Sequence, residues 1–190
     1  MEYRLSLPVD DEKILKIKAG DIIYLNGKVA TLRDEGHKRA IEGREQPINF
    51  SEVAIYHCGP IVKKEGNEWR IIAAGPTTSM RMEMFEYDFI KKFNTKIIIG
   101  KGGMGKKTAE ACKKFKALYA AFTGGAAVLA AKLLHLKDVF WLDLGMPEAL
   151  WLFEAEQFGP LVVTIDAHGN NLTEDIKNLA ERKAKEKGLV

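Results

Sequence analysis

Three short stretches of this chain set a cation among small or hydroxyl-bearing residues, the pairing that binding of an oxyanion requires. In Thr31–Arg39, T-L-R-D-E-G-H-K-R, Arg33 follows an apolar run that reads as a strand. A strand end presents side chains to a cleft, and a guanidinium there clamps a carboxylate through two parallel N–H bonds. His37 lies one helical turn further on and is expected on the same face. In Gly75–Met82, G-P-T-T-S-M-R-M, three hydroxyls meet an expected helix N-terminus. Free backbone N–H groups at such an end attract anions. Thr77 and Arg81 are spaced to lie on one side of that helix. In Ile99–Gly105, I-G-K-G-G-M-G, Lys101 stands in a glycine-rich turn between strand and helix. There the backbone can form an anion-binding nest. Each stretch also has a plainer reading. The first is a solvated helix start; the hydroxyls of the second are ordinary N-caps, with Arg81 at the surface.

Other chemistries find less support. The glycine-rich turn has neither the G-x-x-x-x-G-K-[ST] spacing of a P-loop nor G-x-G-x-x-G, so nucleotide binding is weakly indicated. In Tyr56-His57-Cys58-Gly59-Pro60, His57 and Cys58 are adjacent, and neighbours on a strand point to opposite faces, so they do not share one ion. No C-x-x-C supports a zinc site, and Cys58 reads as a small buried hydrophobe. The chain has no G-x-S-x-G elbow. His135 and His168 read as structural or surface residues, and Asp166–Asn170 as a strand end and turn.

The elements that must position these residues are mixed. Ile14–Ile17 alternates with lysines in a β-like way. Asp21–Leu25 and Lys28–Thr31 flank Asn26–Gly27, the pattern of a hairpin. Arg33–Glu45 is compatible with a helix. Val53–Tyr56 and Trp69–Ala74 read as buried strands, the second preceded by a polar turn at Lys63–Asn67. Helices are expected over Thr77–Phe93, Lys106–Phe122 and, more buried, Ala126–Leu136. Lys96–Gly100, Val139–Leu144 and Leu161–Asp166 read as strands, Pro147–Gln157 as a short helix, and Leu172–Lys187 as a polar terminal helix. There is no strict βαβα rhythm. The expected architecture is one α/β domain over residues 1–190, with a mixed sheet or small barrel, ending in a polar helix over 172–190.

The chain has 190 residues, enough for one real core, and a net charge of +3 with no long basic run, so nucleic acid is not indicated. The apolar stretch Ala117–Leu136 is interrupted by Lys132, Thr123 and a glycine pair and does not read as a membrane span. The N-terminus lacks the pattern of a secretory signal. Two distant cysteines fit a reducing cytoplasm.

The motifs T-L-R-D-E-G-H-K-R, Y-H-C-G-P-I, G-P-T-T-S-M-R-M, I-G-K-G-G-M and the later P-E-A-L-W…F-G-P-L-V-V-T-I-D-A-H-G-N occur in this order. In order and spacing they resemble the beta subunit of iron–sulfur-dependent (class I) fumarate hydratase, a group that includes the beta subunit of L-tartrate dehydratase. The resemblance runs from about Gly20 to Asn170. It implies a swivelling β/β/α domain and reversible hydration of fumarate to malate, or a close analogue. It also implies a 4Fe–4S cluster held by three cysteines of a partner alpha subunit, in an assembly of two alpha and two beta chains. The cluster iron without a cysteine ligand would serve as Lewis acid on the substrate hydroxyl. Position by position, Arg33 and Arg81 match substrate-binding arginines, Lys101 a substrate lysine, and Thr77 the residue proposed as catalytic base. His37 matches a histidine beside the site, although Gly36 stands where relatives often carry alanine. Cys58 lies outside the functional set.

Overall fold

The computed structural model describes residues 1–43, 45–66 and 68–188. Nine strands and six α-helices are formed among the described residues. In chain order they are β1 (Glu2–Ser6), α1 (Asp11–Lys16), β2 (Ile22–Thr31), α2 (Asp34–Glu42), β3 (Ala54–Tyr56), β4 (Ile61–Glu65), β5 (Glu68–Ala73), α3 (Glu83–Phe93), β6 (Ile97–Gly100), α4 (Lys106–Phe115), β7 (Leu118–Phe122), α5 (Ala127–Leu133), β8 (Leu134–Phe140), β9 (Leu150–Ile165) and α6 (Leu172–Glu186).

One sheet carries the strand order β1-β2-β3-β6-β7-β9-β8, and a further β2–β9 pairing closes it. The closed part is a five-stranded barrel of β2, β3, β6, β7 and β9. The run β1-β2-β3-β6-β7 is parallel, whereas β9 is antiparallel to β7, β2 and β8. The expected small barrel in a mixed α/β domain is therefore what forms.

Strand alternation divides the apolar residues between two cores. Ile23, Leu25, Val29, Tyr56, Cys58, Ile97, Ile99, Leu118, Phe122, Phe158 and Val163 fill the barrel. The alternate residues Ala30, Leu32, Ile55, Ile98, Tyr119 and Ile165 face outward, against Ala40 of α2, Phe89 and Ile90 of α3, and Ala111 and Cys112 of α4. Burying each large aliphatic side chain contributes about 2 kcal/mol, so both faces of the central strands resist exposure. The parallel strands also run the same way, so the loops after β2, β3 and β6 emerge at one end of the barrel. In parallel α/β sheets that end is where ligands bind.

Several elements differ from the sequence-based expectation. Ile14–Ile17 belongs to the end of α1, begun by an Asp10 cap that accepts from the Lys13 N–H at 2.8 Å. Asn26–Gly27 makes no hairpin: β2 runs straight through it, and the register against β9 shifts on either side. Gly27 has φ +108°, and a Cβ there would come within 3.1 Å of Leu7, so the glycine serves an irregular strand pressed against its neighbour. Residues 63–65 lie in β4, with Gly66 at the turn, while Asn67 falls outside the described residues. β5 pairs only with β4 and leaves Ile72 exposed, so it is not a buried strand.

The helix expected over Lys106–Phe122 stops at Phe115, where Lys116 turns to φ +54° and the chain enters β7. Ala126–Leu136 is split between α5 and β8, and α5 exposes Val128 and Leu129 rather than burying them. The strand expected at Val139–Leu144 begins earlier, as β8, and ends at Phe140; residues Leu142–Leu144 form a 3-10 turn. The helix expected at Pro147–Gln157 is the first half of β9, held between β2 and β8. The terminal helix is present as α6, and residues 189–190 of the expected 172–190 lie outside the described ones.

Candidate active site

Arg33 is the residue that links β2 to α2, with extended backbone at the helix N-cap. Its half-buried side chain lies with Nε 3.2 Å from Glu148 Oε1, just before β9. A Cβ at Gly59, in the loop after β3, would sit 2.9 Å from Arg33 Nη1. Gly59 thus leaves room for the guanidinium. The Y-H-C-G-P motif matters here through that glycine and through His57. Cys58, by contrast, is buried in the barrel core, and burial pushes its thiol above the ordinary range.

Thr77 follows β5 and is half-buried. Its N–H donates to the His57 carbonyl at 2.7 Å, which ties it to the end of β3. The next residues do not continue as an α-helix at once: Ser79–Met82 is a 3-10 turn that leads into α3. Thr77 and Arg81 therefore do not share a helix face, and Thr78 at the N-cap makes no side-chain cap. The Arg81 side chain is largely exposed and pairs with Asp34, the residue beside Arg33. Thr78 is bridged to Lys101 in parallel register, and the Ser79 N–H donates to the Lys101 carbonyl at 3.1 Å. Lys101, exposed at the end of β6, sends its aliphatic stem past Gly124 in the loop after β7.

The four predicted residues thus sit on three loops stitched to one another at the C-terminal end of the parallel strands. Arg33 and Arg81 are joined through Asp34, and Thr77 and Lys101 through the Thr78 bridge. Arg81 and Lys101 are exposed there, and Arg33 and Thr77 are half-buried. Clefts are formed beside Trp69, Arg70 and His135 and between α4 and the start of α6.

Two expectations for these motifs are revised. His37 does not share the exposed face of Arg33: it is fully buried, with Nδ1 2.9 Å from the Arg33 carbonyl and Nε2 3.1 Å from Glu86 Oε1. At the far end of the glycine-rich turn, moreover, the Gly105 N–H and the first N–H groups of α4 are taken by an internal carboxylate. The Glu83 carboxylate already accepts from Gly105 N, Lys107 N, Thr108 N and Thr108 Oγ1, at 2.6–3.3 Å. An internal carboxylate fills that helix N-terminus, which fits the charge of the helix end. His135 is exposed, and His168 reaches the Leu15 carbonyl.

Sequence reading missed Glu86, Ser79 and the part played by His57. The three residues are spread over 30 positions, and only the packing of α3 on the barrel brings them together. The one visible signal is Gly100. A Cβ there would lie 1.7 Å from Ser79 Oγ and 3.0 Å from His57 Nδ1, so this glycine is the seat of Ser79.

A family model described as fumarase C-terminus matches residues 2–176. The chain belongs to that family. It is 49% identical over 186 residues to the L(+)-tartrate dehydratase subunit beta of Escherichia coli strain K12, covering 96% of this chain and 92% of the relative. It is 42% identical over 192 residues to a putative L(+)-tartrate dehydratase subunit beta of Methanocaldococcus jannaschii, with 98% of both chains covered. A putative class I fumarate hydratase of Geobacillus stearothermophilus is 41% identical over 175 residues, which is 91% of this chain but 34% of that protein. This member of the fumarase C-terminus family therefore spans nearly all of the relatives named as beta subunits and about a third of a longer hydratase chain.

Proposed function

We propose that this chain is the beta subunit of a hydro-lyase that reversibly hydrates fumarate to (S)-malate, active only with an alpha subunit. The observation that carries the reading is the convergence of Arg33, Thr77, Arg81 and Lys101 on three bonded loops at the ligand-binding end of the barrel. A four-carbon diacid carries two carboxylates, and three cations bind and orient it. The arginines are held half-neutralised by Glu148 and Asp34, so a substrate carboxylate competes with these internal partners. Proton removal beside a carboxylate builds negative charge on that carboxylate, which Arg and Lys stabilise. Thr77 moves that proton. Its hydroxyl is a very weak acid, and acting as base requires that nearby cations favour its ionised form.

The resemblance to class I fumarate hydratase also implies a 4Fe–4S cluster, and this chain's residues do not fit one. Cluster binding requires several cysteine thiolates. Cys58 lies in the barrel core and Cys112 in the helix-facing core, both with thiols pushed up by burial. The cluster is accordingly assigned to the alpha subunit, in an assembly of two alpha and two beta chains. No described helix is long and apolar enough to cross a membrane, and the proposed compartment is the cytoplasm.

A second reading, L-tartrate dehydration, is favoured by the names of the two relatives that match along nearly their full length. It uses the same cations and needs room for an extra hydroxyl. A panel of fumarate, (S)-malate and L-tartrate on the reconstituted complex separates the two. The highest kcat/KM on fumarate or malate supports the first reading, and the highest on L-tartrate supports the second. No turnover of any of the three would remove the hydro-lyase assignment.

A further inference from the structure

Behind the three loops lies a chain of buried polar groups. His37, His57, Ser79 and Glu86 are all at 0% exposure. From one end, the Arg33 carbonyl is 2.9 Å from His37 Nδ1, and His37 Nε2 is 3.1 Å from Glu86 Oε1. The same Glu86 oxygen is 2.7 Å from His57 Nε2. His57 Nδ1 is 2.9 Å from Ser79 Oγ, which accepts from the Lys101 N–H at 3.1 Å. The His57 backbone completes the links, donating to the Ile99 carbonyl and accepting from the Thr77 N–H. Every backbone that carries a residue of the proposed site, apart from Arg81, is thereby fastened to this chain.

The positions of the protons follow from what each partner can do. A carbonyl only accepts, so His37 Nδ1 carries a proton. His57 Nε2 is hydrogen-bonded to Glu86 Oε1 and so carries a proton; His37 Nε2 lies 3.1 Å from the same oxygen without hydrogen-bond alignment, and a bare lone pair that close to a carboxylate would be repelled, so it carries a proton as well. His37 is then an imidazolium and Glu86 its buried counter-ion, leaving the pair neutral overall, as burial of charge demands. His57, with its proton on Nε2, accepts from the Ser79 hydroxyl at Nδ1. The acid–base environment agrees. Burial alone would raise the Glu86 carboxyl, but the two imidazoles bring it down to about 2. Burial depresses His57 and keeps its ring neutral, against the pull of Glu86.

The three side chains also have the composition of a metal site, with ligand atoms within 4.8 Å of one another. The spacing argues otherwise. Two ligands on a tetrahedral zinc stand about 3.3 Å apart, whereas His57 Nε2 and Glu86 Oε1 are at hydrogen-bond distance.

We propose that His37, Glu86, His57 and Ser79 are positioning residues that hold Arg33, Thr77 and Lys101 in register for the reaction, with His37 as imidazolium and His57 as its Nε2–H tautomer. The catalytic part rests on the hydro-lyase reading above; the protonation part does not. Preorganisation of this kind lowers the barrier because no reorientation remains to be done when charge develops.

Two measurements test it. The first is nitrogen-15 NMR of the imidazole rings in the full chain, which needs no substrate or partner. The expected result is protons on both nitrogens of His37 and on Nε2 alone of His57, unchanged by added zinc ion. A neutral His37, a proton on Nδ1 of His57, or ring shifts on titration with zinc ion would overturn it. The second compares Glu86→Gln and Ser79→Ala in the reconstituted complex. Loss of register predicts a kcat at least tenfold lower with KM within about threefold. Unchanged kcat in folded Ser79→Ala complex, or a loss confined to KM, would overturn the positioning role. If the wild-type complex turns over no dicarboxylate, the hydro-lyase reading fails while the NMR result still decides the protonation.

Discussion

In the proposed reaction, Thr77 is the residue on which the chemistry turns. Its hydroxyl sits on a loop fixed by the bond from its own N–H to the His57 carbonyl, and its neighbour is bridged to Lys101. Thr77→Ala in the complex is expected to lower kcat by at least about 100-fold with little change in KM, since proton transfer is lost while the cations remain. Steady-state kinetics on the chosen substrate checks this, and a wild-type kcat would remove Thr77 from the mechanism. Asp166 supports the fold at the other end of the chain. Burial would raise its carboxyl, but bonds from Asn170 Nδ2, Ala19 N, His168 N and Asn170 N outweigh this and lower it. A lowered folded-state value means that its contribution is fully present above the ordinary carboxylate value of 3.8 and is lost as pH falls through the lowered one. Asp166→Asn should therefore cost about 3 kcal/mol at neutral pH. The gap to the wild type should narrow in acid, as read by denaturant melts across pH. A gap independent of pH would contradict this account of Asp166.

The elements show why some of this is legible from sequence and some is not. Arg33, Thr77 and Lys101 announce themselves because each follows an apolar run, and strands β2, β5 and β6 do end shortly before them, whereas Arg81 is marked by its spacing from Thr77. Residues 147–157 carry helix formers such as Glu148, Ala149, Leu150 and Glu154, yet they form strand because β2 and β8 flank them and bury Trp151 and Phe153. Tertiary packing overrides local propensity at that site. The buried polar chain escapes sequence reading for a related reason. A Glu at position 86 looks like an exposed residue of an amphipathic helix until α3 is laid on the barrel over His37 and His57. Gly100 is the one trace of that polar chain in the sequence, and the structure supplies the reason for that glycine, the Ser79 hydroxyl that fills the place of a side chain. Gly100→Ala would drive its Cβ into Ser79 Oγ, and the overpacking should cost about 2 to 3 kcal/mol. A thermal melt within experimental error of wild type would show that the Ser79 seat is not tight.

At the scale of the whole molecule, the proposed reading makes this chain half of a site. Its cations and hydroxyl stand at one end of the barrel, its two cysteines are locked in separate cores, and its relatives include dehydratase subunits designated beta and one longer hydratase chain. A dry, charge-stabilising environment for a diacid therefore requires a second surface to close over the loops. The most direct measurement is turnover of fumarate, (S)-malate and L-tartrate by the purified chain, before and after mixing with a cluster-loaded alpha subunit. No activity alone and clear activity on mixing is the predicted result. Turnover by the isolated, metal-free chain would contradict it, as would a mixed complex that is inert towards all three acids.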